Sequence, residues 1–173
     1  FDLGFREDVD FIFQNIPKEV QKLVFSATFN EETKTICSEF LDKPNFVHVH
    51  QAEITPESMK QEALICESSD KIKLLLYLLK QHQPDCALIF TNTKLVASWL
   101  LYKLEKNNYN VEMISGDLPQ NKRTRLIGEI KSGKVKVLIA TDVASRGLHI
   151  PQLSHVYNFD LPNEASNYIH RVG

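Results

Sequence analysis

The sequence predicts an α/β chain: parallel β-sheets with helices packed on both faces. Two observations carry this. Short apolar runs with strand character alternate with amphipathic stretches of about a dozen residues, the pattern of βαβ units. Three of those runs, LVFSAT, ALIFTNT and VLIAT, end in hydroxyl-bearing residues, at the strand ends where open parallel sheets bind ligands.

The elements follow in order. FDLGFREDVDFIF places Phe1, Leu3, Phe5, Val9, Ile12 and Phe13 on an incomplete helical face. KLVFSATF at 22–29 reads as a strand, EETKTICSEFL at 31–41 as a helix with Thr35, Ile36, Phe40 and Leu41 at helical spacing, and NFVHVH at 45–50 as a second strand. QAEITPESMK at 51–60 is polar, holds Pro56 and lacks periodicity, so it is expected to be a linker. Alternation then restarts. QEALICE at 61–67 is an expected strand. DKIKLLLYLLKQH at 70–82 is a helix with Ser68 or Ser69 as N-cap, and CALIFTNT at 86–93 is a strand. KLVASWLLYKLEKN at 94–107 is a helix and VEMISG at 111–116 a strand. The next helix has Pro119 near its first turn and Gly133 near its C-cap. VKVLIAT at 135–141 and HVYNFD at 155–160 are the last strands. The expected organisation is the C-terminal part of one domain over 1–50, the linker 51–60, and most of a second domain over 61–173. The chain starts and stops inside patterns, as a fragment cut at both ends would.

Bulk properties narrow the chemistry. The 173 residues carry a net charge of −2, with 43% apolar and 24% charged residues, so any nucleic-acid site must be a local patch. Cys37, Cys66 and Cys86 lie far apart without metal-ligand spacing, and the two in strand-like runs are expected to be buried thiols. No secretory signal and no long apolar span are visible, so an intracellular protein is expected.

The chemistry collects at strand ends. Ser26, Thr28, Thr91, Thr93 and Thr141 offer hydroxyls that donate to phosphate oxygens without adding charge. For any one of them, capping the next helix is the simpler role. GDLPQNKRTR sets Asp117 just after a strand and Gln120 and Arg123 on one helix face, with Lys122 and Arg125 thickening a basic patch. A solvated helix face is the common fate of such runs. Arg146 and Gly147 follow Thr141 and Asp142 within one loop. The guanidinium suits phosphate or, equally, a structural salt bridge.

Taken together, these residues resemble the DEAD-box ATP-dependent RNA helicases of helicase superfamily 2, over essentially the whole chain and in family order. Phe1 to Phe5 is similar to the segment after the DEAD motif. Ser26-Ala27-Thr28 is similar to the SAT motif, and Leu88 to Thr93 to motif IV. Gly116 to Arg123 fits GDxxQxxR, Thr141 to Leu148 resembles motif V, and Tyr168 to Gly173 resembles the start of motif VI.

The resemblance implies two RecA-like domains, with ATP and single-stranded or short duplex RNA bound across the cleft between them. It implies that Ser26 and Thr28 couple catalysis to domain closure. Thr93, Gly116, Asp117, Gln120, Arg123 and Thr141 would form the RNA-backbone surface, reading phosphates and 2′-hydroxyls with little sequence preference. Gly147 and the position of His149 would lie near the nucleotide, and His170 and Arg171 would join the ATP and RNA sites, Arg171 also facing the nucleotide. His149 stands where the family has an Asp, which implies a weaker ribose contact. ATP with Mg²⁺ is the implied cofactor. The Mg²⁺ ligands and the arginine finger would lie outside this stretch, so the stretch alone is not expected to turn over ATP. A monomer without membrane association, in the cytoplasm, or in the nucleus or nucleolus of a eukaryote, is the expected setting. A catalytically weak RNA clamp and a superfamily 2 DNA helicase are the alternatives. A metabolic doubly wound enzyme ranks last, because no GxGxxG loop follows any strand.

Overall fold

The structure, a computed structural model, describes residues 6–17, 19–25, 31–47, 59–145, 150 and 153–172. The chain divides into two compact units, Phe1–Ala52 and Glu53–Gly173.

In the first unit, α1 (Arg6–Asn15) and α2 (Glu31–Phe40) are described. Phe13 of α1 stacks on Phe40 of α2 with ring centroids 4.3 Å apart, and Lys22 Nζ lies 5.4 Å from the Phe13 ring. Cys37, rather than Thr35, faces inward on α2. Residues 22–25 and 45–47 were expected to begin strands, yet neither is in one. A strand is stabilised by its neighbours, and no strand exists among the described residues of this unit to pair with them. Leu23, Val24 and Phe25 are accordingly exposed.

The second unit is a four-stranded sheet of β1 (Ala87–Phe90), β2 (Val111–Ile114), β3 (Val137–Ala140) and β4 (His155–Asn158). All neighbours run parallel in the order β2-β3-β1-β4, with Ala87 opposite both Val137 and His155, and Val111 opposite Val137. Parallel strands require crossovers. These are α4 (Lys94–Lys106), α5 (Gln120–Lys131) and the short α6 (Asp142–Ser145), with α3 (Lys71–His82) leading in and α7 (Ala165–Val172) following β4.

Alternation along β1 separates two cores. Ala87 and Ile89 meet Leu75 and Leu79 of α3 and Ala97, Leu100 and Leu104 of α4. Cys86, Leu88 and Phe90 meet Leu126 and Ile130 of α5 and Ala144 of α6. Leu100, Leu104 and Ile89 are wholly buried, each burial favouring the fold by roughly 1.5–3 kcal/mol. Local signals set the helix ends. Thr93 Oγ1 accepts the Val96 N–H and starts α4, and Gln83, with φ of 46°, ends α3 by donating its N–H to the Leu79 carbonyl. Gly133, with φ of 72°, turns the chain after α5 and donates to the Ile130 carbonyl.

Three expectations fail here. The predicted Ser68 or Ser69 cap is absent. Residues Ser68–Asp70 form a 3-10 turn, α3 starts after Asp70, and the Asp70 carboxylate is held by Lys73 at 2.8 Å instead of capping the helix. Residues 61–67 form no strand and are exposed, Cys66 with them. They flank a groove of about 1320 Å³ whose other side is β4, so no paired strand lies within the roughly 4.8 Å that a ladder demands. Tyr168 Oη reaches across to Gln61 Oε1 at 2.7 Å.

Candidate functional site

The chain leaves β1 and β3, which are neighbours in the sheet, toward opposite faces: α4 packs on one core and α6 on the other. Such a divergence opens a crevice at the carboxyl ends of the strands, the place where open α/β sheets bind ligands. The described candidates line it. Thr93 follows β1, Thr141 follows β3, and Gly116, Asp117, Gln120 and Arg123 follow β2. Because β2, β3 and β1 are consecutive in the sheet, these residues form one row spanning about 10 Å.

The row is internally bonded. Thr93 caps α4, and the Thr91 hydroxyl donates to the Thr93 carbonyl at 3.3 Å. The Asp117 carboxylate accepts from Lys94 Nζ. That bond, helped by the Ser115 hydroxyl and a backbone N–H, holds the Asp117 carboxyl at about 2, below its ordinary 3.8. Gln120 is exposed at the first residue of α5. Arg123, half-buried, donates from Nη2 to the Ala144 carbonyl at 2.8 Å and so ties α5 to α6. Thr141 is half-buried at the β3 tip, and its carbonyl accepts the Ala144 N–H at 3.0 Å.

Arg171 lies behind the row, 4% exposed, on the last turn of α7. Its Nε donates to Asp142 Oδ1 at 2.5 Å and its Nη2 to Asp142 Oδ2 at 2.8 Å, a bidentate fork. Nη2 also reaches Asn92 Oδ1 at 3.0 Å, while Nη1 reaches Asn158 Oδ1 at 3.1 Å and the Asp160 carbonyl at 2.6 Å. Phe90 lies under the guanidinium, its ring centroid 4.8 Å away. Asp160 extends the cluster, accepting from Lys71 Nζ at 2.7 Å and from the Asn92 N–H at 3.2 Å. His170, its neighbour in α7, is exposed. Ser26, Thr28, Gly147 and His149 lie outside the described residues.

Asn92, Asn158 and Asp160 escaped sequence reasoning. The signal was present in HVYNFD, a fourth strand-like run that also ends in polar residues, although in an amide and a carboxylate rather than a hydroxyl. Among the described residues no group of three or more His, Cys, Asp and Glu is placed to hold a metal ion, and both Asp142 oxygens accept from Arg171. No helix among the described residues is long and apolar enough to cross a membrane.

Comparison with known proteins gives a consistent assignment. The family model of the helicase conserved C-terminal domain matches residues 70–173. The chain is 42% identical to the ATP-dependent RNA helicase RhlB of Pseudoalteromonas atlantica over 179 aligned residues, covering 100% of this chain and 42% of that protein. RhlB of Aliivibrio fischeri is also 42% identical, with 40% of its length covered. The chain thus spans about two fifths of the length of these curated relatives. Among solved structures, S. cerevisiae Dbp5 bound to RNA and ADP BeF3 superposes with a TM-score of 0.87 at 32% identity, over 98% of this chain and 45% of that one. The E. coli DEAD-box protein SrmB bound to regulator of ribonuclease activity A superposes with a TM-score of 0.57 at 38% identity, over 60% of this chain and 61% of that one. With a parallel sheet of RecA-like type, helices on both faces and this family match, the chain belongs to the helicase conserved C-terminal domain family.

Proposed function

We propose that the chain supplies the RNA-gripping part of an ATP-dependent RNA helicase that works as a monomer in the cytoplasm and couples ATP hydrolysis to local duplex unwinding. The observation that carries this reading is the row at the β2, β3 and β1 tips. It presents hydroxyls and a guanidinium, with Gly116 at the turn after β2. Groups of this kind bond phosphates and ribose hydroxyls and leave base edges unread, so affinity is expected with little sequence preference. The Dbp5 structure holds RNA and ADP BeF3, which supports both ligand classes for this chain.

Within this reading, Thr93, Gly116, Asp117, Gln120, Arg123 and Thr141 contact the RNA backbone. Gly147 and His149 face the nucleotide, and His170 lies between the two ligands. Ser26 and Thr28 transmit domain closure, and residues 51–60 link the two domains. Mg²⁺ chemistry is assigned to the remainder of the whole protein.

The test is ATP hydrolysis by the whole protein with and without single-stranded RNA, beside Arg123→Ala. We expect RNA to stimulate turnover, and the variant to need about tenfold more RNA for half-stimulation. RNA binding without turnover in the wild type would establish a clamp instead. Stimulation by single-stranded DNA but not RNA would move the protein to another branch of the superfamily.

A further inference from the structure

The sequence places Arg171 among the ligand-facing residues; its surroundings assign it a different task. We propose that Arg171 is a positioning residue, which touches neither nucleotide nor RNA and holds the β1 and β3 tips in register through Asn92 and Asp142. The inference rests on the helicase reading above for its functional consequence, and on geometry alone for the bridge itself.

A guanidinium has five N–H donors. Five acceptor contacts surround this one: the two Asp142 oxygens, Asn92 Oδ1, Asn158 Oδ1 and the Asp160 carbonyl. The side chain is 1% exposed. To reach a phosphate, Arg171 would have to abandon one of these acceptors inside a buried site, which is costly. A ligand-binding arginine keeps part of its fork open; this one has none left.

Its partners explain what the network accomplishes. Asn92 precedes Thr93 and Asp142 follows Thr141, so each partner is adjacent in sequence to a candidate RNA contact. The β1–β3 ladder continues only as far as the Thr91 N–H, which donates to the Ala140 carbonyl at 3.0 Å. Beyond that point the two chains part toward opposite faces of the sheet, and sheet hydrogen bonding no longer fixes their separation. Arg171 spans the gap. Asn92 is fixed three ways: its carbonyl oxygen by Arg171, its amide by donating to the Leu161 carbonyl at 2.8 Å, and its backbone N–H by Asp160. Thr93 and Thr141 are thereby spaced by a side chain that meets no ligand.

Lysine separates the two roles. A phosphate contact tolerates Lys in part, since an ammonium remains a point charge, whereas a five-bond planar fork does not. In the whole protein, Arg171→Lys and Arg171→Gln are expected to behave alike. Each should raise the RNA concentration for half-maximal ATPase stimulation by about tenfold and change ATP affinity measured without RNA by less than about twofold. Asn92→Ala, at an exposed position, should weaken RNA by about threefold with ATP affinity unchanged. Asn92→Ala added to Arg171→Gln should cost little more than Arg171→Gln alone.

Several results would overturn the proposal. One is a lysine variant that retains wild-type behaviour while the glutamine variant fails; another is weakened ATP binding with RNA dependence intact. If the Arg171 variants do not fold, Asn92→Ala decides alone, and wild-type RNA dependence in it refutes the bridge. A wild-type protein that RNA fails to stimulate would instead refute the helicase reading. The bridge would then stand or fall on thermal unfolding of the same single and double variants, where additive losses would refute it.

Discussion

At the scale of single residues, Asp117 shows how charge is arranged without a basic field. Its carboxyl is depressed to about 2, first by the Lys94 bond, then by the Ser115 hydroxyl and a backbone N–H. A depressed carboxyl pKa means that the pair is complete at every pH above the ordinary carboxylate range and is lost as pH falls through about 2. A carboxylate within an RNA-facing row would repel phosphate; paired with Lys94 it presents no net charge. A carbon-13 NMR titration should therefore place Asp117 near 2 in the wild type, and Lys94→Ala should move it back up toward 3.8. Titration at the ordinary value in the wild type would mean that the pair does not persist in solution. Arg171 marks the limit of sequence reading at this scale. Its position in HRVG identified it as a residue of interest, but the number of acceptors around a side chain depends on three distant strand ends, which no local pattern encodes.

At the scale of elements, Thr93 settles how the simpler and the functional roles of a strand-end hydroxyl relate. Its Oγ1 accepts the Val96 N–H at 3.2 Å, and a hydroxyl that accepts one bond still has its proton to donate. Thr93→Ala is expected to destabilise the second unit by about 1 kcal/mol through loss of the cap, and Thr93→Ser to leave stability within about 0.5 kcal/mol, both read by urea unfolding. If the alanine variant loses RNA stimulation and the serine variant keeps it, the hydroxyl serves both ends. Elements were legible where the sequence contains their cause. The strands β1 and β3 were predicted because their apolar runs are buried along their whole length, β2 and β4 from shorter strand-like runs that are only partly buried, and α3, α4 and α5 because their inward residues recur at helical spacing. The runs at 22–25, 45–47 and 61–67 have equal strand character and form none, since pairing belongs to the neighbours and not to the run. Helix α7 was missed for the opposite reason. ASNYIHRV covers only about two turns, too few for its apolar residues to repeat a helical period, and its inward anchor is the buried arginine.

At the scale of the whole molecule, the order of the motifs along the chain carried more than their individual content. Each is a short string with an ordinary alternative explanation, yet the fold collects the described ones at the tips of three adjacent strands. That gathering follows from parallel topology, which brings every strand's exit to the same edge of the sheet. The same topology leaves β4 at the sheet's margin, with the groove, and no described strand, along its outer side. Backbone N–H and C=O groups along such a margin are a template for another chain. A polypeptide limited to residues 53–173 would therefore be sticky in a directional way, adding strands margin to margin instead of clumping through its apolar cores. Size-exclusion chromatography across a concentration series should show it growing into oligomers. A constant elution volume for the shorter polypeptide would mean that residues 59–67 fold over the margin and shield it. That would make this unstructured stretch a guard against self-assembly, with consequences for anyone preparing the domain in isolation.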